Sequence, residues 1–187
     1  MSIGASVPRD RARRLLLGRG NYVDDIALPR MLHLALVRSP YAHANVGTID
    51  IADALALPGV VAIFTAEDLE DAVSSWRAEH KLFPAMAAPK QFALARDVVR
   101  WQGEAVAAVL GNSRAEAEDG AELVSVAWNE LPAVTDANQA LAPDAPILHD
   151  DMDNNLAFQT QVTAGDVETA FNEADHVEQE TFRFHRH

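Results

Sequence analysis

The apolar positions change period several times along the chain, and each change predicts an element. Between Asp97 and Asp136, Val98 to Trp101 and Ala105 to Leu110 are short apolar runs parted by Gln102-Gly103-Glu104. Runs of that length, rich in β-branched residues, predict two strands. At Ser113 the period lengthens. Ser113 and Glu116 have the spacing in which a hydroxyl accepts a helical N–H while the carboxylate reaches back to the cap, so a helix is expected from Arg114. It places Ala117, Ala121 and Val124 on an inner face and leaves Glu118, Asp119 and Glu122 to water. Val124 to Trp128 then alternates like a strand, and Leu131-Pro132 ends it.

The flanking stretches are read in the same way. Leu32 to Arg38 alternates as a strand ending at Ser39-Pro40, with Ala44 to Ile49 its candidate partner. Asp50 caps a short helix through Leu57, which Pro58-Gly59 terminates, and Val60 to Phe64 is a buried strand. Thr65, with Asp68 three residues on, caps another helical turn. Ser74 to Pro89 has no clean period, and its Trp76, Phe83 and Met86 mark an irregular loop with apolar anchors that lies against something, such as another subunit. Ala133 to Asn155, rich in Pro, Asp and Asn, reads as a surface connector without regular structure. Gly165-Asp166 opens a helix to about Ala174, with Val167, Ala170 and Phe171 on one face, and Val177 to Phe184 alternates as a last strand. The expected fold class is α/β (α+β), with a basic N-terminal arm at 1-17, one mixed domain at 18-136, and a connector, helix and terminal strand at 137-187.

Composition narrows the chemistry. With 187 residues and 49% hydrophobic content the chain can bury a real core. It has no cysteine, which excludes disulfides, a thiolate nucleophile and Cys-ligated zinc or iron–sulfur clusters within this chain. The formal charge is −13, and Ala115 to Phe182 contains no Lys or Arg. A surface so acidic repels phosphate backbones, so no nucleic-acid partner is expected. Arg9, Arg11, Arg13, Arg14 and Arg19 face only Asp10, giving an arm suited to an acidic partner or a solvated terminal segment. Arg13-Arg14 followed by three leucines does not make a twin-arginine export signal, because Gly18 and the polar Arg19 to Asp25 follow where an apolar stretch is needed. No apolar run reaches membrane-spanning length, so no membrane partner and a cytoplasmic location are expected.

Candidate chemical groups are few. Gly18-Arg19-Gly20 reads as a structural turn, since no strand leads into it and no helix follows as a phosphate loop requires. His33 and His43 read as packed or hydrogen-bonded residues. The His149-Asp150-Asp151-Met152-Asp153 cluster lacks the glycine-centred calcium-loop pattern and reads as a solvated loop. His185 and His187 would share one side of the terminal strand, but two ligands make a weak metal site. Glu104, between two strands beside Gly103, is the one tempting carboxylate, because burial there would raise its pKa towards that of a useful base. No residue is assigned as catalytic, cofactor-binding or metal-ligating.

Six segments resemble, in order, the N-terminal part of the molybdenum-binding large subunit of the xanthine dehydrogenase, aldehyde oxidase and carbon monoxide dehydrogenase family. They are LLLGRGNYVDD (Leu15 to Asp25), LHLALVRSPYAHANV (Leu32 to Val46), LPGVVAIFTAEDL (Leu57 to Leu69), VVRWQGEAVAAVL (Val98 to Leu110), AWNELPAVTD (Ala127 to Asp136) and GDVETAFNEADHV (Gly165 to Val177). The chain departs from the family pattern at Ala105, where proline is usual, and at Trp128, where tyrosine is commoner. Both are packing-level changes.

The resemblance implies an α/β-hammerhead domain followed by a linker towards a molybdopterin-binding portion. The family's pterin-binding segments, active-site loop and base-supplying glutamate match positions beyond His187, so none is carried over and Glu104 is expected to be structural or interfacial. The resemblance further implies a complete enzyme that hydroxylates an aldehyde, purine or N-heterocycle with water-derived oxygen. That enzyme would use molybdopterin in its cytosine dinucleotide form, 2Fe-2S clusters and often FAD. Its partners would be a molybdopterin-binding chain or domain, an iron–sulfur subunit and an FAD subunit. The chain alone is then expected to be inactive, serving assembly. The competing expectation is a stand-alone scaffold module of the same fold. The arm, the Ser74 to Pro89 loop and the unpaired terminal strand are the expected assembly surfaces.

Overall fold

A computed structural model of the chain describes residues 3–4, 9, 11–83 and 85–182. In order these form helix α1 (Ala12–Leu16), strands β1 (His33–Arg38) and β2 (Ala44–Asp50), helix α2 (Ala52–Leu55), strands β3 (Val60–Thr65), β4 (Val98–Val99) and β5 (Ala105–Gly111), helix α3 (Arg114–Leu123), strand β6 (Ser125–Glu130) and helix α4 (Val167–Glu173). Single 3-10 turns lie at Val23–Asp25 and Gln139–Leu141.

β5 reads AVAAVLG, without a polar side chain, and the structure places it where such a strand belongs. It is the centre of a three-stranded antiparallel sheet ordered β1-β5-β3. A second antiparallel sheet is ordered β4-β2-β6. Val106 of β5 packs with Ala44, Ala95 and Val99 against Val46, Ile49 and Trp128 of the second sheet, while Val109 packs with Ala54, Ile63 and Val124 under the helices.

α3 begins where the capping signal predicts. The Ser113 Oγ accepts the Glu116 N–H at 3.3 Å, and its hydroxyl donates to Glu116 Oε2 at 2.7 Å, so the carboxylate is held by the cap side chain. A cap of this kind stabilises the helix by about 1 kcal/mol. Ala117 and Val124 are buried, Ala121 packs beside Val124, and Glu118, Asp119 and Glu122 are exposed, as the pattern predicts. α2 is shorter than expected. Asp50 Oδ1 accepts the Ala52 N–H at 3.0 Å and the helix closes before Pro58. At the Thr65 turn the donor and acceptor are opposite to a hydroxyl cap: the Thr65 N–H and hydroxyl both donate to Asp68 Oδ2, at 2.7 and 3.0 Å.

Several expectations are corrected. β1 and β2 are not partners, because β1 pairs β5 and β2 pairs β4 and β6. The short Ser39–His43 link turns the chain from one sheet into the other. β3 is an edge strand, and of its residues only Ile63 is buried, so the apolar VVAIF run is half exposed. The arm carries the helix α1, which closes with the Gly18 N–H donating to Leu15 O and the Arg19 N–H to Arg14 O. The connector departs from the expected lack of regular structure only at the 3-10 turn Gln139–Leu141, and Asn155, donating to Ala140 O and Pro146 O and accepting from the Leu148 N–H, ties its segments together. Residues 177–182 form no strand. Alternation prepares a strand but a ladder makes one, and no described residue pairs with them. The rest of that expected strand, with His185 and His187, lies outside the described residues.

Candidate functional site

Glu104 sits at the start of the sheet's most buried strand, and the local sequence explains how it is held. Gly103 adopts φ +91°, a conformation that a side chain would strain, and turns the chain between β4 and β5. The Arg38 guanidinium donates to Gly103 O at 2.7 Å, the Gly103 N–H to Ser39 O at 2.8 Å, and the Ser39 N–H to Glu104 O at 2.9 Å. The turn is therefore bolted to the end of β1. Within it, the Arg100 N–H donates to Glu104 Oε2 at 2.5 Å.

Burial raises the Glu104 carboxyl above its ordinary pKa, against the Arg100 N–H and the Arg100 charge, which favour the ionised form. Arg100 bonds Glu104 through its backbone N–H, while its guanidinium donates to Leu148 O at 2.6 Å and Val98 O at 3.1 Å and stands 4.0 Å from Asp150. It thus fastens the connector to the domain. His149 lies in the same cluster, and burial, followed by the Arg100 charge, lowers its pKa, while Asp151 and Asp150 oppose the shift. The cavity in front of Arg100, Glu104 and His149 measures about 240 Å³, below the ~300 Å³ at which small-molecule sites usually begin.

The remaining candidates are held apart. His43 is buried, with Nδ1 2.7 Å from Pro132 O, and pins the chain after β6. His33 lies in β1 opposite Gly111. Asp151 accepts the Lys90 N–H at 3.1 Å and pairs with Arg77 at 2.7 Å, which holds its carboxyl below the ordinary range and ties the connector to the Ser74 to Pro89 loop. The Phe83 and Phe158 rings stack at 4.3 Å across the same junction. Arg9, Arg11 and Arg14 surround an open basin with Asn21 and Tyr22.

Among the described residues no three His, Asp or Glu side chains converge where a metal could sit, and the sequence has no cysteine. The cluster joins the β4–β5 turn, the end of β1 and the connector. Sequence reasoning singled out Glu104 but missed Arg100 and Asn155. The available signal for Arg100 was a lone cation inside an apolar run, four residues before a carboxylate.

Residues 17–132 match the family model described as aldehyde oxidase and xanthine dehydrogenase, a/b hammerhead domain. The nicotine 6-hydroxylase large subunit of Paenarthrobacter nicotinovorans is 38% identical over 177 residues, covering 94% of this chain and 21% of that protein. The carbon monoxide dehydrogenase large chain of Hydrogenophaga pseudoflava is 43% identical over 139 residues, covering 74% and 17%. Among solved structures, quinoline 2-oxidoreductase from Pseudomonas putida 86 superposes with a TM-score of 0.81 at 38% identity, covering 92% of this chain and 22% of that one. The chain spans about a fifth of the length of the curated relatives it matches.

Proposed function

This chain belongs to the aldehyde oxidase and xanthine dehydrogenase family, through that family's α/β hammerhead domain, and from that premise we propose that it is a non-catalytic part of a molybdenum hydroxylase, serving assembly and support of the molybdenum-binding chain. The observation that carries this reading is the engagement of Glu104. Its carboxylate accepts the N–H of Arg100 in its own turn, and Arg100 in turn clamps the connector at Leu148. Glu104 Oε2 is thereby set into a joint between segments, the placement an assembly role calls for.

The complete enzyme would be an oxidoreductase that hydroxylates an aldehyde, purine or N-heterocycle with oxygen from water. Its molybdopterin, in the cytosine dinucleotide form, would supply the redox chemistry, with 2Fe-2S clusters and FAD carrying electrons onward. Iron–sulfur and FAD subunits would be the further partners, and the complex would be cytoplasmic. Relatives named as large subunits or large chains support a multi-subunit setting. No helix among the described residues is long and apolar enough to cross a membrane.

Metal and pterin analysis of the isolated chain, together with turnover of a reconstituted complex carrying Glu104→Gln, tests the reading. The expected results are no stoichiometric molybdenum in the isolated chain and turnover retained in the variant complex. Stoichiometric molybdenum would overturn the inert assignment. Loss of turnover with cofactor content and assembly unchanged would make Glu104 catalytic.

A further inference from the structure

β2 is paired unequally on its two sides. Towards β6 the ladder runs from Ala44 opposite Glu130 to Asp50 opposite Ser125, interrupted by a bulge between Val46 and Ile49. Towards β4 it covers only Ala44 and Asn45, with one more backbone bond from the Val46 N–H to Asp97 O at 2.8 Å. From Gly47 to Asp50, no described residue supplies a backbone partner on that side. An open edge of this kind presents a row of donors and acceptors ready for another strand.

The open edge faces a cleft of about 620 Å³, lined on one side by residues 46–49 and on the other by Glu67, Glu70, Arg96 and Asp97. Three carboxylates there meet one guanidinium. Arg96 is already engaged, 3.1 Å from Glu70 and stacked 4.8 Å over the Phe92 ring. The cleft is therefore acidic. Four residues of strand span about 13 Å, enough for two or three ladder bonds, and the side chains of an added strand would reach the carboxylates at every second position.

We propose that this edge docks an extended, basic peptide segment of a partner polypeptide, which continues β4 antiparallel along β2. Two complementary features specify this occupant: the unpaired backbone calls for an extended chain, and Glu67, Glu70 and Asp97 select Lys or Arg on it. The chain's own basic arm is a poorer occupant, because Ala12–Leu16 is helical and its backbone bonds are turned inward.

The test uses the full 187-residue chain, isotope-labelled for amide NMR, and a capped peptide of alternating arginine and threonine. Saturable shifts at Gly47–Asp50 and around 65–70 and 95–97 are expected, with slowed exchange of the β2 amides. The same peptide N-methylated at alternate amides should bind about tenfold more weakly, because it cannot complete the ladder. The Glu67→Gln/Glu70→Gln variant should bind several-fold more weakly with its thermal unfolding unchanged. The proposal is overturned if the plain and N-methylated peptides bind alike, if a glutamate-threonine peptide binds as well, or if the shifts map to the acidic face of α3. It is equally overturned if no shift occurs at millimolar peptide, which would mean that the β2 bulge closes the edge.

Discussion

Glu104 brings a carboxylate into a half-buried turn, and the pH dependence of stability reports what it does there. Its folded-state pKa is raised by burial above the ordinary 4.5. The folded chain therefore holds the proton more tightly than the unfolded chain. That contribution to stability is fully present below the unfolded value and is lost as pH rises through the folded one. At neutral pH the ionised group is thus a cost, offset by the bond from the Arg100 N–H. Glu104→Gln keeps an oxygen for that N–H and removes the charge, so it should be at least as stable as the parent at pH 7, with the difference shrinking towards pH 4.5. Glu104→Ala leaves the N–H unpartnered and should be less stable by about 1–3 kcal/mol. Denaturant unfolding at the two pH values measures both. A Gln variant weaker than the parent at pH 7 would mean that attraction to Arg100 outweighs burial. The sequence showed the carboxylate and its glycine turn, but not the network: the partners Ser39 and Leu148 are far along the chain, and only the folded topology brings them to Gly103 and Arg100.

At the scale of the element, α3 was legible because its start depends on residues three apart, Ser113 and Glu116, and its inner face on a short period. Pairing between strands was not legible in the same way. β1 and β2 adjoin in sequence, yet their partners β5 and β6 lie some sixty residues or more further on, and alternation says which face is apolar but not which strand lies beside it. The junction of β5 and α3 also rests on a feature that no pattern announced. A Cβ placed on Gly111 would stand 2.6 Å from the Ala117 N and 3.0 Å from its Cα. Both are backbone atoms of the helix and have little freedom to retreat. Gly111→Ala should therefore push α3 off the end of β5, costing about 1–3 kcal/mol as an overpacked contact. Alanine in place of glycine ordinarily gains backbone entropy, so a fall in the unfolding midpoint would identify steric approach as the deciding effect, and an unchanged or raised midpoint would refute it.

Across the whole molecule, order is concentrated between β1 and β6, where the three apolar clusters lie, and the chain that follows is held by progressively fewer contacts. The connector is fastened at Leu148, Asp151 and Asn155 and by the stack of Phe158 on Phe83. From 159 to 182 every described residue is exposed, including Val167, Phe171 at 61% and Phe182 at 78%. α4 has a proper start, with Asp166 accepting the Thr169 N–H at 3.1 Å, but only seven residues and no buried side chain. Isolated helices shorter than about 12–15 residues are marginal in water, so α4 needs a surface over Val167 and Phe171 to persist. Amide exchange in the isolated chain should accordingly be slowest in β5 and nearly unprotected across α4. Adding the proposed molybdenum-binding partner should slow exchange in α4 while leaving β5 at its own rate. The two regions then separate the parts of the assembly reading: protection of α4 on mixing supports a partner that covers its apolar face. Protection of α4 already present in the monomeric chain would show that the helix stands without one. Complex formation with α4 still unprotected would move the interface away from this helix.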